Sequence, residues 1–159
     1  MTQKKLALWL KLIIIVIAVC GIIAYAVVIP NYGMSLAARY PEFSGRFWPW
    51  LVFIWISGIP CYAVLVLGWL ITSGIAKDQA FTVRNARYMK WISQLAAADS
   101  VFFLAGNLVL WFLNMSHPGI VLLSLVVVFA GIAVSVAAAA LSHLIGKAAD
   151  LQEQSDLTI

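Results

Sequence analysis

Asp99 is the residue with the clearest chemical claim. It stands about eight residues inside the apolar run from Trp91 to Leu113, where an ionised side chain costs several kcal/mol unless it is protonated, paired or wet. At helical spacing Phe103, Gly106, Asn107 and Leu110 share its side. Two readings follow: a relay for protons or ions lined by Asp99 and Asn107, or a buried hydrogen bond that ties one helix to another. Cys61 and Ser57 are the other polar candidates within apolar sequence. Cys20 and Cys61 fall at similar depth in consecutive runs, so contact between them is conceivable, yet a buried thiol ordinarily serves as a small hydrophobe. No disulfide framework or paired CxxC zinc site can be built from these two. The four-helix thiol oxidases would require an exposed cysteine pair, which is absent from the sequence.

The histidines do not form a pair either. His117 lies in a short polar turn and His143 near the far end of the last apolar run, so one chain cannot bring both to a haem. Asn114-Met115-Ser116 matches a glycosylation sequon, a triplet that also arises by chance. The chain has no phosphate-binding glycine loop, HExxH, GxSxG or paired catalytic carboxylate. The expectation is a protein that is not an enzyme and carries no cofactor or metal.

The elements that must position these residues follow from composition. The 159 residues are 64% hydrophobic and 10% charged, with a mean hydropathy of +1.02. Soluble domains carry roughly 25% charged residues, and one small core cannot absorb this much apolar surface. Lipid must cover the remainder. The sequence predicts an all-α, membrane-spanning four-helix bundle, a single domain over residues 1–159, with spans at about 6–29, 48–74, 91–113 and 119–145. A helix rises about 1.5 Å per residue, so each run can cross a hydrocarbon core of about 30 Å.

Pro30 and Asn31 are expected to close the first span, and the connection up to Phe47 to lie partly along the membrane surface. That first run exceeds the roughly 7–15 apolar residues of a signal peptide, so it reads as a retained anchor even though Ala24-Tyr25-Ala26 imitates a cleavage site. Pro60 should bend the second span, with Ser57 placed to help satisfy the freed carbonyl. Phe81-Thr82 reads as a helix start with Thr82 as the N-cap.

Charge supplies orientation. Lys4, Lys5, Lys11, Lys77, Arg84, Arg87, Lys90 and Lys147 lie on one side of this arrangement, Arg39 and Arg46 on the other. Cations favour the cytoplasmic face, which predicts both termini, the loop 75–90 and the tail 146–159 inside the cell. The net charge of +4 is thereby assigned to lipid headgroups rather than to nucleic acid. Two stripes of small residues, Ser124, Gly131, Ser135, Ala138 and Ser142 on the fourth span and Ser57, Cys61, Gly68 and Thr72 on the second, each fall within about 60° of a helix face. Helix–helix seams are their expected use.

Ala80-Phe81-Thr82-Val83-Arg84-Asn85 and the closing Leu151-Gln152-Glu153 to Asp156-Leu157-Thr158-Ile159 resemble the bacterial membrane proteins grouped as domain of unknown function 2975. In the first stretch Ala80 and Arg84 replace the Pro and Glu of that family's PFT.EN pattern. The resemblance implies a bacterial four-span protein of the inner (plasma) membrane, often encoded beside a small helix-turn-helix regulator, with no assigned catalytic residue. Its marks are all in the loop and tail, which makes Phe81, Thr82, Asn85, Asp156, Leu157 and Ile159 candidates for binding a protein partner. The tail should pack on the loop or on that partner. A regulatory or sensory membrane partner is the leading expectation. A small oligomeric transporter or channel subunit using Asp99 and Asn107, and a lipid- or quinone-binding protein with its pocket near Cys61 and Asp99, are the alternatives.

Overall fold

The computed structural model describes residues 2–116 and 118–156, without the side chains at 42–44 and 156. Helix α1 (Gln3–Ile23) runs through a π-helical turn (Ala24–Val28) into α2 (Ile29–Arg39), and a 3-10 segment (Pro41–Arg46) leads to α3 (Phe47–Ile75), α4 (Val83–Phe112) and α5 (Pro118–Asp156). No strand occurs among the described residues. The four units Gln3–Arg39, Phe47–Ile75, Val83–Phe112 and Pro118–Ser155 are each long and apolar enough to cross a membrane.

Pro30 does not end the first helix. A proline inside a helix lacks a donor and crowds the carbonyl four residues back. Here the preceding turn widens, and Ile29 N–H bonds to Ala24 O, five residues back. Such a π-bulge gives the ring room without breaking the rod. The helix ends at Tyr40, before Pro41, as the restriction on residues preceding proline dictates.

Helix α3 passes through Pro60 unbroken. The Ser57 hydroxyl donates to Ile54 O at 2.9 Å, so it does not serve the Ile56 carbonyl that Pro60 leaves free. At the helix end Lys77 and Gln79 both donate to Gly74 O at 3.0 Å, and Asp78 takes a left-handed φ of 57°. Thr82 then caps α4, accepting from Asn85 N–H at 3.3 Å. At the opposite end Asn114 is left-handed, with φ of 53°, and Arg46 Nη1 donates to the terminal carbonyls of Leu113 and Asn114. A cation there also answers the negative pole of α4.

Helix α4 lies along α5, α3 packs on α4, and α1 packs on α3. In lipid such seams depend on close approach and hydrogen bonds. Between α4 and α5, Ser135 Oγ donates to Ser93 O at 2.9 Å, and Ser142 Oγ to Ala86 O at 2.8 Å. Ser100 Oγ occupies the space that a Cβ on Gly131 would need. Between α1 and α3, Tyr62 Oη donates to Ala18 O at 3.0 Å, and Lys11 Nζ stands 4.7 Å from the Trp69 ring centroid. A cluster of buried apolar residues, Leu67, Ile92 and Ala138, joins α3, α4 and α5. Most large apolar side chains point outward, which water would penalise and lipid does not.

Candidate functional site

The Asp99 carboxylate lies at a junction of helices. Its Oδ2 accepts from Cys61 Sγ at 3.9 Å, while Oδ1 is buried with no protein partner. Cys61 also faces the Tyr25 hydroxyl, which is directed at Ser57 as well. Tyr25 comes this close because α3 offers Gly58, where a Cβ would stand 3.0 Å from the tyrosine ring. Its carbonyl, in the π-turn, accepts from Trp55 Nε1 at 3.0 Å. A cavity of about 350 Å³ opens beside this group, bordered by Ile17, Gly21, Tyr25, Cys61, Asp99 and Ser100.

Tyr25 is the residue that sequence reasoning misses. The sequence offers it only as the middle of a small-x-small triplet, and the partner that gives it meaning lies more than thirty positions away on another helix. The expected companion Asn107 is elsewhere. It is 1% exposed and lines a separate cavity of about 510 Å³, with Phe103 bordering both. Its Nδ2 donates to Phe103 O at 2.8 Å.

A phenol, a thiol and a carboxylate in one pocket can exchange a proton or hold a polar ligand group. The residues lining the cavity include no imidazole or cation that would draw the proton from the thiol and make it a nucleophile. Among the described residues no group of three His, Cys, Asp or Glu side chains could hold a metal ion. Both cysteines are free thiols.

The loop and tail meet at one end of the bundle. Asn85, 0% exposed, donates from Nδ2 to Gln79 O at 2.9 Å and Ala80 O at 3.0 Å. A Cβ on Gly74 would stand 2.9 Å from that nitrogen, so glycine there admits the staple. Asn85 therefore shapes the loop and offers no free surface of its own. Beside it the loop and the extension of α5 border a groove of about 420 Å³, with Phe81, Thr82 and Val83 on one wall and Ala149, Gln152 and Glu153 on the other. Phe81 and Leu151 are 57% and 66% exposed. The Asp156 side chain, Leu157 and Ile159, like His117, lie outside the described residues.

Four apolar rods joined by small-residue seams define a polytopic helical membrane protein. Its family can be stated. Residues 31–159 match the family described as Protein of unknown function (DUF2975), and the chain belongs to it. It is also similar to the uncharacterized membrane protein YoaS of Bacillus subtilis (strain 168), 27% identical over 159 residues, which cover 99% of each chain. No solved structure matches.

Proposed function

We propose that this chain is a non-catalytic membrane partner that engages another protein through its loop and tail, at the cytoplasmic face of the plasma membrane. The observation that carries the reading is the groove between Phe81 and the α5 extension. Its two walls are held by the Asn85 staple and by the Ser142 bond to α4, and apolar Phe81 and Leu151 are exposed on the loop and the tail. Exposed aromatic and aliphatic anchors on a rigid frame are what a protein partner can bury. The cations Lys77, Arg84, Arg87 and Lys90 around the loop support the inward orientation.

A photo-crosslinking residue at Phe81, in cells, tests this. The expected result is one dominant adduct that disappears when residues 152–159 are deleted. Diffuse or lipid-only adducts, unchanged by the deletion, would refute it. Orientation is read separately by labelling a single cysteine placed at Arg84, in a chain with Cys20→Ala and Cys61→Ala.

A second reading has its own observation, the Asp99–Cys61–Tyr25 pocket within the bundle. It makes the protein a small transporter or channel subunit, complete as an oligomer. Ion or proton flux in proteoliposomes that is lost in Asp99→Asn, with folding retained, supports it. Flux that survives the substitution counts against it.

A further inference from the structure

The first span leaves a chamber inside the bundle. Helix α1 packs on α3 but makes no extended packing with α4 or α5 among the described residues. The gap is the cavity of about 350 Å³ beside Asp99, bordered by Ile17, Gly21 and Tyr25 from the first span and by Val127, Ala130 and Val134 from α5. Its volume lies in the roughly 300–1,000 Å³ range of small-molecule sites. No helix packing closes the side between α1 and α5, so entry is sideways, from the bilayer.

Asp99 is poorly explained as a tie between helices. The bonds that do join the helices run from hydroxyls to backbone carbonyls, at 3.0, 2.9 and 2.8 Å for Tyr62, Ser135 and Ser142. Asp99 instead meets the Cys61 thiol at 3.9 Å, a long and weak contact. No cation is among the residues lining the cavity, so ionised Asp99 stands there without a counter-ion, which is costly in lipid.

The walls limit what could supply the missing charge. Tyr25, Tyr62 and Phe103 line the chamber with Asp99, and aromatic faces attract cations, quaternary ammonium groups above all. Leu65, Leu95 and Val134 make the rest apolar. A charge acts through space: unlike a hydrogen bond, its pull on a cation requires no exposed carboxylate oxygen, and low polarity lengthens its reach. A bare metal ion would require a ligand set, and no group of three His, Cys, Asp or Glu side chains could hold one among the described residues. An uncharged lipid chain would suit the walls and leave the carboxylate unmatched. A cation with alkyl or aryl substituents suits both, because it and ionised Asp99 form a neutral pair within apolar walls.

We propose that the chamber enclosed by the first span, α3, α4 and α5 is a binding site for a lipophilic organic cation, an ammonium carrying apolar groups. Asp99 is its counter-ion, and Tyr25, Tyr62 and Phe103 surround the charged nitrogen. The inference rests on the second reading above only in taking the Asp99 pocket as a working site, and it gives that reading a substrate class.

The test is native mass spectrometry of the full chain in an uncharged detergent, titrated with 4-phenylbutyltrimethylammonium and, as an uncharged control, with 4-phenylbutanol. A saturable one-to-one adduct with the cation is expected, and the alcohol should not displace it. Asp99→Asn or Phe103→Leu should weaken binding about tenfold. Asp150→Asn, which removes a carboxylate outside the chamber, should leave it unchanged. Should Asp99→Asn fail to fold, Phe103→Leu and Ala130→Trp, which fills the chamber, make the same comparison. Non-saturable binding overturns the proposal, as do equal affinities in the parent and Asp99→Asn, an equal loss in Asp150→Asn, or displacement by the alcohol at the cation's own concentration. Proteoliposome flux separates the two ideas. Proton or inorganic-ion flux that depends on Asp99, in a chain that does not bind the cation, overturns the inference and leaves the second reading standing. Asp99-dependent binding of the cation without any flux supports the inference and removes that reading.

Discussion

Helix α5 borders two seams and treats them differently. Towards α4 it presents Gly131, Ser135, Ala138 and Ser142, and the helices meet closely, with Ser135 and Ser142 bonding to α4 carbonyls. Towards the first span it presents Leu123 and Val127, and a cavity remains. In water both faces would close, because apolar surface is expelled from the solvent. In lipid a leucine gains little by leaving a hydrocarbon neighbour, so only the face with close approach and hydrogen bonds closes firmly. The contrast teaches that a greasy face on a membrane helix does not by itself predict a helix partner.

The sharpest way to break the contrast is Gly131→Leu, since any Cβ there meets Ser100 Oγ. Overpacking of this kind should destabilise the fold by about 3 kcal/mol, read by unfolding in bicelles. A stable variant would show that the closed seam is not closed by contact. Next in size is Asn85→Leu, which removes two bonds to loop carbonyls. A loss of about 2 kcal/mol is expected, with new protease cleavage between Ala76 and Phe81; an unaltered cleavage pattern would deny the staple. Smaller again is the Ser93–Ser135 coupling. The two hydroxyls lie 3.3 Å apart, and a double-mutant cycle with alanine, which leaves the Ser93 carbonyl in place, should return about 0.6 kcal/mol; a value near zero would leave packing and the bonds to backbone carbonyls to hold the seam. Smallest of all is Leu123→Ala on the open seam, expected within about 0.5 kcal/mol of the parent. A loss of several kcal/mol would mean that this face is closed after all.

The apolar rods were legible in the sequence because hydropathy and helix capping are local. Thr82 is the clearest instance: a threonine before Val83 and the wet first turns of α4 reads as a cap, and it accepts the Asn85 amide. Pro30 was legible as a disturbance and not as a continuation. Proline signals a missing donor, but whether a helix ends or widens depends on the partners of the freed groups, here Trp55 bonding to the Tyr25 carbonyl. Asp99 announced itself by its cost in lipid. Its companions did not, since Tyr25 and Cys61 reach it only across helix seams. Asn107, which helical spacing places on the same side, faces a different cavity. The tail was legible as an ordered extension, and the structure continues α5 to Asp156 with Ala149 buried.

By itself the amino-acid order determined that the chain is helical and has four runs able to cross a membrane, where the fourth span carries small residues, and that no familiar catalytic motif is present. These follow from properties summed along neighbouring residues. Only the tertiary structure decided which small-residue face met a helix, which carboxylate, thiol and phenol came together, and which buried polar atoms among the described residues were left without partners. Those outcomes depend on distances between residues far apart in the chain, and in lipid, where apolar burial no longer ranks the alternatives, a few glycines, hydroxyls and amides set them.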